Sequence, residues 1–284
     1  MKDPRPPRLP QLLVVLAGVL GGPGCDVLFG VEVGGDGGGV TRPDGRGGDG
    51  DPGGGDADVS TLPCAVPGNH VGSQLLCLEF TNDPAAPPGV VDSSTFNRPT
   101  DEIGVVATAR DRGAAQDPAA RFNTTSSLWV TEEASLDLPE AFTLATWARL
   151  DQEEVEPGSG LIHRAGQYAM YVGPSGVNDG QQLRCTVRPL GGLFTVTAGG
   201  VASGTWHFLA CTWNGTALCA YVDDAQPECG NTGALKPAGA GNLAVGHGSN
   251  GVARIDPLTG ALDRVQILYE ALSRDEVTQV WAAR

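Results

Sequence analysis

Two apolar runs flank a turn signal in the segment Thr205-Trp-His-Phe-Leu-Ala-Cys-Thr-Trp-Asn-Gly-Thr-Ala-Leu-Cys-Ala-Tyr-Val-Asp-Asp224. Both runs are rich in the β-branched and aromatic residues that favour strands. Asn-Gly between such runs is the strongest short-range hairpin signal, because both residues tolerate the positive φ of a type I′ turn. A two-residue turn at Asn214-Gly215 pairs Trp213 with Thr216 and Cys211 with Leu218. The segment therefore predicts an antiparallel hairpin.

Further short apolar runs recur from Gln74 to the C-terminus and are separated by Gly, Pro, Asn and Asp. Regularly spaced strands without intervening helical periodicity predict an antiparallel sandwich or barrel. One helix is expected at the end, because Ser273-Arg-Asp-Glu276 forms a capping box before Val277, Val280 and Trp281. The sequence therefore predicts an all-β fold with a short C-terminal helix.

The charge of the chain excludes one class of partner. Its 284 residues carry 33 acidic and 18 basic side chains, for a net charge of −15. A chain this acidic cannot neutralise phosphates over a broad surface. We therefore expect no nucleic-acid partner and no electrostatic adsorption to anionic lipid.

The N-terminus has the pattern of an export signal. Basic residues from Lys2 to Arg8 precede the apolar run 12–20, which is shorter than the roughly 20 residues that span a bilayer. The segment Gly22-Pro-Gly-Cys25 that follows resembles the lipobox of bacterial lipoproteins, although Gly22 stands where leucine is preferred. We predict a signal peptide over residues 1–24 and a lipid on Cys25, which would anchor the protein in the cell envelope, facing the surface or the periplasm. Cleavage by ordinary signal peptidase after Gly24, followed by secretion, is the alternative.

Residues 25–60 are predicted to form a flexible tether. Most of this segment is a Gly/Asp/Pro tract with almost nothing apolar to bury, so folding could not offset the loss of backbone entropy. The tract also lacks the apolar position that each repeat of a calcium-binding repeat toxin needs. A tether of this length spans on the order of 25–30 Å, which would hold a folded domain over residues 61–284 clear of a membrane.

Six segments carry a family resemblance: Phe142-Thr-Leu-Ala-Thr-Trp-Ala-Arg149, Tyr168-Ala-Met-Tyr-Val172, Trp206-His-Phe-Leu-Ala210, Tyr221-Val-Asp223, Leu243-Ala-Val-Gly246 and 260–277. In this order they resemble the laminin-G-like, concanavalin A-like family from about Gln74 to the C-terminus. The sequence departs from the pattern at Asn214, where Asp is usual, and at Asp224, where Gly is usual. The resemblance implies a jelly-roll sandwich of two antiparallel sheets.

The cysteines outside the lipobox predict three disulfides, which an exported location permits. Strand parity places Cys211 and Cys219 on opposite sides of the hairpin, so they cannot bond to each other. Cys219 is therefore expected to reach Cys229 across the next turn, and Cys211 to reach Cys185 across neighbouring strands. By elimination the remaining two cysteines pair, and the predicted disulfides are Cys64–Cys77, Cys185–Cys211 and Cys219–Cys229.

The sequence lacks the signature of catalysis in this fold. Hydrolases of the family carry a Glu-x-Asp-x-Glu cluster on one strand. The nearest acidic group, Glu132 to Glu140, is not spaced to place two carboxylates about 5 Å apart on one strand face. The four histidines are scattered, and His163 and His207 are interpreted as packing residues. We therefore expect no enzymatic activity.

Calcium and a glycan are the ligands that the resemblance implies. Laminin-G-like domains often bind Ca²⁺ through oxygen ligands, and Glu79, Asp92 and Asp263 are the candidates here. The alternative is that Glu79 and Asp263 lie at exposed strand edges with no metal. Of the tryptophans, Trp147 and Trp206 match core positions of the family. Trp213 is expected to be exposed and is the candidate for stacking against a sugar.

These predictions combine into one leading hypothesis and two alternatives. The leading hypothesis is a binding module, anchored in the cell envelope, that presents a β-sandwich to a glycan or an extracellular protein without catalysis. The alternatives are a glycan-active hydrolase of the concanavalin A-like class and a purely structural envelope domain. A shared fold does not decide between them, because ligands are recognised by sites and not by folds.

Overall fold

The computed structural model describes residues 64, 66–81, 89–109, 118–131, 133–154, 158–174, 180–236, 241–251 and 253–283. The predicted signal peptide, the predicted tether and Cys25 lie outside these residues. Across the described ranges, no helix combines the length and the apolar character that a membrane span requires.

The strands of the described residues, numbered β1 to β18 along the chain, form two large antiparallel sheets and one small hairpin. The first sheet contains β1 (Gln74–Thr81), β2 (Gly89–Asp92), β4 (Val106–Ala109), β5 (Pro118–Phe122), β7 (Phe142–Leu150), β12 (Trp206–Trp213), β13 (Ala217–Val222), β14 (Glu228–Asn231) and β18 (Gly260–Leu268). The second sheet contains β3 (Thr100–Ile103), β6 (Ser127–Val130), β8 (Ser159–Arg164), β9 (Tyr168–Gly173), β10 (Gln182–Val187), β11 (Phe194–Gly199) and β15 (Leu243–Val245). The separate hairpin consists of β16 (Gly248–Ser249) and β17 (Arg254–Ile255).

The order of the strands is that of a sandwich with long connections between its sheets. The first sheet runs β14-β13-β12-β7-β18-β1-β2, with β5 and β4 attached beside β18, and the second runs β11-β10-β9-β8-β15-β6-β3. Alternate residues of both sheets meet in one apolar core, as Leu76 and Leu78 do on β1 and Leu183 and Cys185 on β10. Side chains of a strand alternate between its two faces, so each strand contributes alternate residues to this core. The all-β class and the two-sheet sandwich are confirmed.

The hairpin at Asn214 forms, but with a different register from the predicted one. Trp213 lies opposite Leu218, and Cys211 lies opposite Ala220. The turn therefore centres on Gly215 and Thr216, and Gly215 adopts a positive φ of 91°, which glycine tolerates without strain. The Asn214 side chain stabilises the turn because its Oδ1 accepts the backbone N–H groups of Thr216 and Ala217, at 3.1 and 2.8 Å.

The six cysteines are joined in the predicted pairs. Cys64 is bonded to Cys77, Cys185 to Cys211, and Cys219 to Cys229. Cys219 and Cys229 lie directly opposite each other on β13 and β14. One detail of the prediction is wrong: Cys185 and Cys211 are not on neighbouring strands of one sheet. Cys185 belongs to the second sheet and Cys211 to the first, so their disulfide crosses the core between the sheets.

The C-terminal helix α1 (Arg274–Ala282) begins at the predicted capping box. The Ser273 hydroxyl accepts the backbone N–H of Glu276, and the Glu276 carboxylate accepts the backbone N–H of Ser273 at 2.8 Å. The same carboxylate also accepts a hydrogen bond from His70 Nε2 at 2.7 Å. His70 lies in a 3-10 helix, Gly68–Ser73, so this contact ties the N-terminal end of the domain to α1.

Candidate ligand-binding site

Helix α1 covers the middle of the outer face of the first sheet. Helix α1 packs its buried residues Val277 and Val280 into an apolar cluster that contains Trp147 and Phe208. Trp147 and Phe208 lie directly opposite each other on β7 and β12, and their ring centroids are 5.5 Å apart. Because this apolar cluster fills the space between the helix and the sheet, no ligand can reach the part of the sheet that the helix covers.

The outer face of the second sheet carries a continuous row of side chains across five strands. The register places Trp129 on β6 opposite Ala244, Ala244 opposite His163, His163 opposite Ala169, and Ala169 opposite Thr186. Opposite residues of an antiparallel pair point to the same face, so the five side chains form one line. Two of the five residues, Ala244 and Ala169, have short side chains, so the row is lower at these two positions than at its neighbours.

The β16–β17 hairpin folds over one part of this face. Two glycines permit the contact, because a Cβ on Gly160 of β8 would collide with the backbone of His247 and Gly248. The close approach places the His247 ring 4.4 Å from the ring of Trp129, edge to face. It also allows the backbone N–H of Ser249 to donate to Nδ1 of His163 at 2.6 Å.

Ionisable side chains are half-buried where the hairpin covers the sheet. Burial raises the pKa of the Tyr171 hydroxyl, and the neighbouring Asp256 carboxylate raises it further. Burial also raises the pKa of Asp256, which Arg184 partly offsets. The Arg184 guanidinium lies 5.8 Å from the centroid of the Tyr171 ring. Perturbed groups of this kind gather at functional sites more often than elsewhere.

An open pocket lies on the same face beside the covered part. It is a shallow depression open to solvent, and its lining residues are His163, Arg164, Gly166, Gln167, Tyr168, Ala169, Thr186, Val187, Arg188 and Leu193. Ala169 and Thr186 belong to the row across the sheet, so side chains of β9 and β10 form the bottom of the pocket. Arg188 and Leu193 are exposed beside it.

His163 is a neutral hydrogen-bond donor in this pocket. Burial lowers its pKa from 6.5 to about 4, and the positive charges of His247 and Arg188 add to that effect. Since Nδ1 accepts the N–H of Ser249, the hydrogen of the neutral ring is on Nε2. The pocket therefore presents an N–H from His163, a hydroxyl from Thr186 and a guanidinium from Arg188.

Trp213 is not the exposed platform that we predicted. Its side chain is 1 % exposed and lies in the core between the sheets, where its ring centroid is 5.8 Å from that of Phe142. Its Nε1 donates to the Thr232 hydroxyl at 3.3 Å. The reason is parity: Trp213 is two residues from Cys211, so it points to the same side of β12, which faces the core.

The three carboxylates predicted to bind calcium are not gathered into one site. Asp92 is buried and accepts the backbone N–H groups of Cys77, Ser94 and Arg98 at 3.0, 3.0 and 2.8 Å. Glu79 accepts the Ser93 hydroxyl at 2.5 Å, and Asp263 is buried on β18. Within the part of the chain that the structure describes, no three His, Cys, Asp or Glu side chains are grouped to hold a metal. Calcium binding stays a prediction.

The sequence interpretation missed most of the pocket. His163 was interpreted as a packing residue, and Ala169, Thr186, Arg188 and Leu193 were not considered. Alternation along β8 and β10 could have placed His163 and Thr186 on an outer face. No local signal in the sequence indicates that the β16–β17 hairpin folds back over that face.

Residues 122–278 match the family model Laminin_G_3, described as the concanavalin A-like lectin/glucanases superfamily. This match covers more than half of the 284 residues. The chain belongs to this superfamily. No curated protein sequence matches the chain significantly. As a member of the concanavalin A-like superfamily, the protein has the jelly-roll fold that the six segments imply.

Solved structures share this concanavalin A-like fold at low sequence identity. The binding domain of Paraclostridial Mosquitocidal Protein 1 is 13 % identical, with a TM-score of 0.59, over 74 % of this chain and 52 % of that chain. A second structure is that of botulinum neurotoxin type C, a toxin whose cell entry depends on interaction with two ganglioside molecules. It is 12 % identical, with a TM-score of 0.56, over 76 % of this chain and 52 % of that chain. The binding domain of botulinum neurotoxin DC with SialylT is 11 % identical, with a TM-score of 0.56, over 75 % and 52 %. The chain thus spans about half the length of these structures, and the likeness shows the fold alone.

Proposed function

We propose that this protein is a cell-envelope binding module that holds a glycan in the pocket on the outer face of its second sheet, without catalysis. One observation carries the proposal: helix α1 covers the middle of the outer face of the first sheet, whereas the second sheet leaves a pocket with donor side chains open. A concave site with a few convergent polar groups is the usual form of a small-ligand site.

The fold neighbours support this class of ligand. One is a neurotoxin that interacts with two ganglioside molecules, and another is a binding domain in complex with SialylT. A third neighbour is a binding domain in complex with rat synaptotagmin II, so a protein ligand is the competing class. We favour a glycan because the pocket is small and its donors are close together, which suits a single sugar ring better than a broad protein interface.

Replacing Ala169 with Leu tests the location of the site. Ala169 lines the pocket, is 5 % exposed and lies on the outer face of β9, so a larger side chain extends toward the pocket and not into the space between the sheets. Because a larger side chain at a buried position costs stability where it overpacks, the urea midpoint of the variant is compared with that of the wild type before its binding is interpreted. We expect glycan binding, measured on an array of neutral and acidic saccharides, to weaken at least tenfold, which corresponds to about 1.4 kcal/mol.

The matched control is Thr197→Leu. Thr197 lies on β11, directly opposite Arg184 of β10, and on the same outer face of the sheet. It does not line the pocket. The control should bind like the unaltered protein. If Ala169→Leu binds as well as the control does, the ligand is held elsewhere.

We further propose that the module is anchored by a lipid on Cys25. The three disulfides indicate an oxidising location such as the envelope or the extracellular space. We expect the full-length protein to be recovered from the membrane fraction with the mass of an acylated chain that begins at Cys25. The variant Cys25→Ser should be soluble after cell lysis. An unmodified mass in the soluble fraction of the wild type would favour the secreted alternative.

A further inference from the structure

The pocket is positive on a protein that is strongly acidic. The chain has 33 acidic and 18 basic residues, yet none of the residues described as lining the pocket is Asp or Glu, and two of them are arginines. The positive charge of Arg164 is compensated, because its Nη2 forms an ion pair with Asp137 Oδ1 at 2.8 Å. Arg188 is exposed, and among the described residues its guanidinium has no ion-pair partner.

The main chain of Arg188 is held on both sides. Its N–H donates to the carbonyl of Gln167 at 2.8 Å, and its carbonyl accepts the N–H of Lys236 at 3.0 Å. The backbone that carries this guanidinium is therefore fixed just beyond the end of β10. A cation on a fixed backbone loses less freedom when it binds an anion than a cation on a mobile loop does.

Two neutral donors lie beside this cation. His163 offers its Nε2–H, and the Thr186 hydroxyl, which is 3.1 Å from that of Thr195, offers an O–H or a lone pair. A guanidinium with neutral donors beside it matches the two oxygens of a carboxylate. Leu193, which is 66 % exposed, adds an apolar wall that fits the C–H face of a sugar ring.

We propose, on the basis of the function above, that the pocket selects an acidic saccharide and binds its carboxylate through Arg188, with His163 and Thr186 as further donors. One unpaired cation matches one negative charge. A polyanion would also meet the acidic remainder of the surface, where the net charge of −15 repels it. The selected ligand is therefore a glycan with an isolated acidic sugar.

The test measures the affinity of the full-length protein by titration calorimetry for four probes: 3′-sialyllactose, trigalacturonic acid, 3′-sulfolactose and lactose. Lactose is the neutral match of sialyllactose, and the sulfated probe separates sulfate from carboxylate. We expect 3′-sialyllactose, which has one isolated carboxylate, to bind at least tenfold more tightly than lactose and sulfolactose do. Trigalacturonic acid, whose carboxylates are adjacent, should bind more weakly than sialyllactose, and tighter binding of it would overturn the selection of an isolated charge.

Variants of Arg188 then assign the selectivity. Arg188→Gln should lose at least tenfold in affinity for the carboxylate probe and change lactose binding less than twofold, whereas Arg188→Lys should lose less because it keeps the charge. The control Arg274→Gln makes the same change of net charge on α1, outside the pocket, and should bind like the wild type.

The outcomes separate this inference from the proposed function. Equal binding of lactose and the acidic probes, lost in Ala169→Leu but kept in Arg188→Gln, would overturn the acidic selectivity and leave the glycan module standing. Preference for sulfolactose would overturn the carboxylate assignment. If neither the four probes nor a broad saccharide array binds at millimolar concentration, both proposals are wrong.

Discussion

Trp213→Ala should lower the free energy of unfolding by about 3–5 kcal/mol, the usual cost of truncating a buried tryptophan. The side chain is 1 % exposed and is among the largest fully buried side chains described. Removing it leaves a cavity beside Phe142, and the inter-sheet disulfide of Cys211, two residues away on the same strand, limits how far the sheets can close around the gap. Urea denaturation followed by circular dichroism measures the change.

The control is Trp213→Phe, which keeps an aromatic ring in the core but loses the Nε1 hydrogen bond to Thr232. We expect this variant to lose roughly half as much stability as Trp213→Ala, because a hydrogen bond contributes about 1 kcal/mol and less volume is removed. A Trp213→Ala protein that is as stable as the wild type but fails to bind saccharides would restore the interpretation of Trp213 as an exposed sugar platform.

Acid should destabilise the protein through His163. The folded state holds the pKa of His163 at about 4, whereas the unfolded chain has the ordinary value of 6.5. Between these values the unfolded chain binds more protons, so stability falls as the pH falls through this window and stops falling below about 4. From this one group we expect a loss of about 2.5 kcal/mol between pH 7 and pH 4.5.

The comparison variant is His163→Asn, because the Asn Oδ1 can accept the N–H of Ser249 in place of Nδ1. Carboxylates also titrate in this range, but they do so equally in both proteins. Urea unfolding at pH 7 and pH 4.5 should therefore show a loss that is about 2.5 kcal/mol smaller in His163→Asn. Equal losses in the two proteins would mean that His163 is not held neutral by burial.

The disulfides were predictable although the hairpin register was not. The predicted turn paired Cys211 with Leu218, and the observed turn pairs Cys211 with Ala220. These registers differ by two residues, and side chains alternate with a period of two. Cys211 and Cys219 therefore face opposite sides in either register, and the exclusion of a bond between them is unaffected.

The same parity rule should have placed Trp213 in the core. Cys211 and Trp213 are two residues apart on β12 and must share a face. A cysteine that is bonded to a distant strand faces inward more often than outward, so the pairing of Cys211 with Cys185 already indicated a buried Trp213. The position of Trp213 beside the turn says little about which way its side chain points.

The sequence by itself determined the features that depend on neighbouring residues: the short strands, the presence of a hairpin near Asn214-Gly215 though not its register, the capping box at Ser273 and the parity of the cysteines. Only the tertiary structure decided which faces are open. The pocket joins β8, β9 and β10 at registers set by the whole second sheet. The face beside it is covered by a hairpin that reaches β8 because Gly160 and Gly248 allow backbone contact. Helix α1 covers part of the outer face of the first sheet through contacts with β7 and β12, which lie far from it in the chain. Local alternation predicts that a side chain faces outward, but long-range packing decides whether that outward face is covered or open to a ligand.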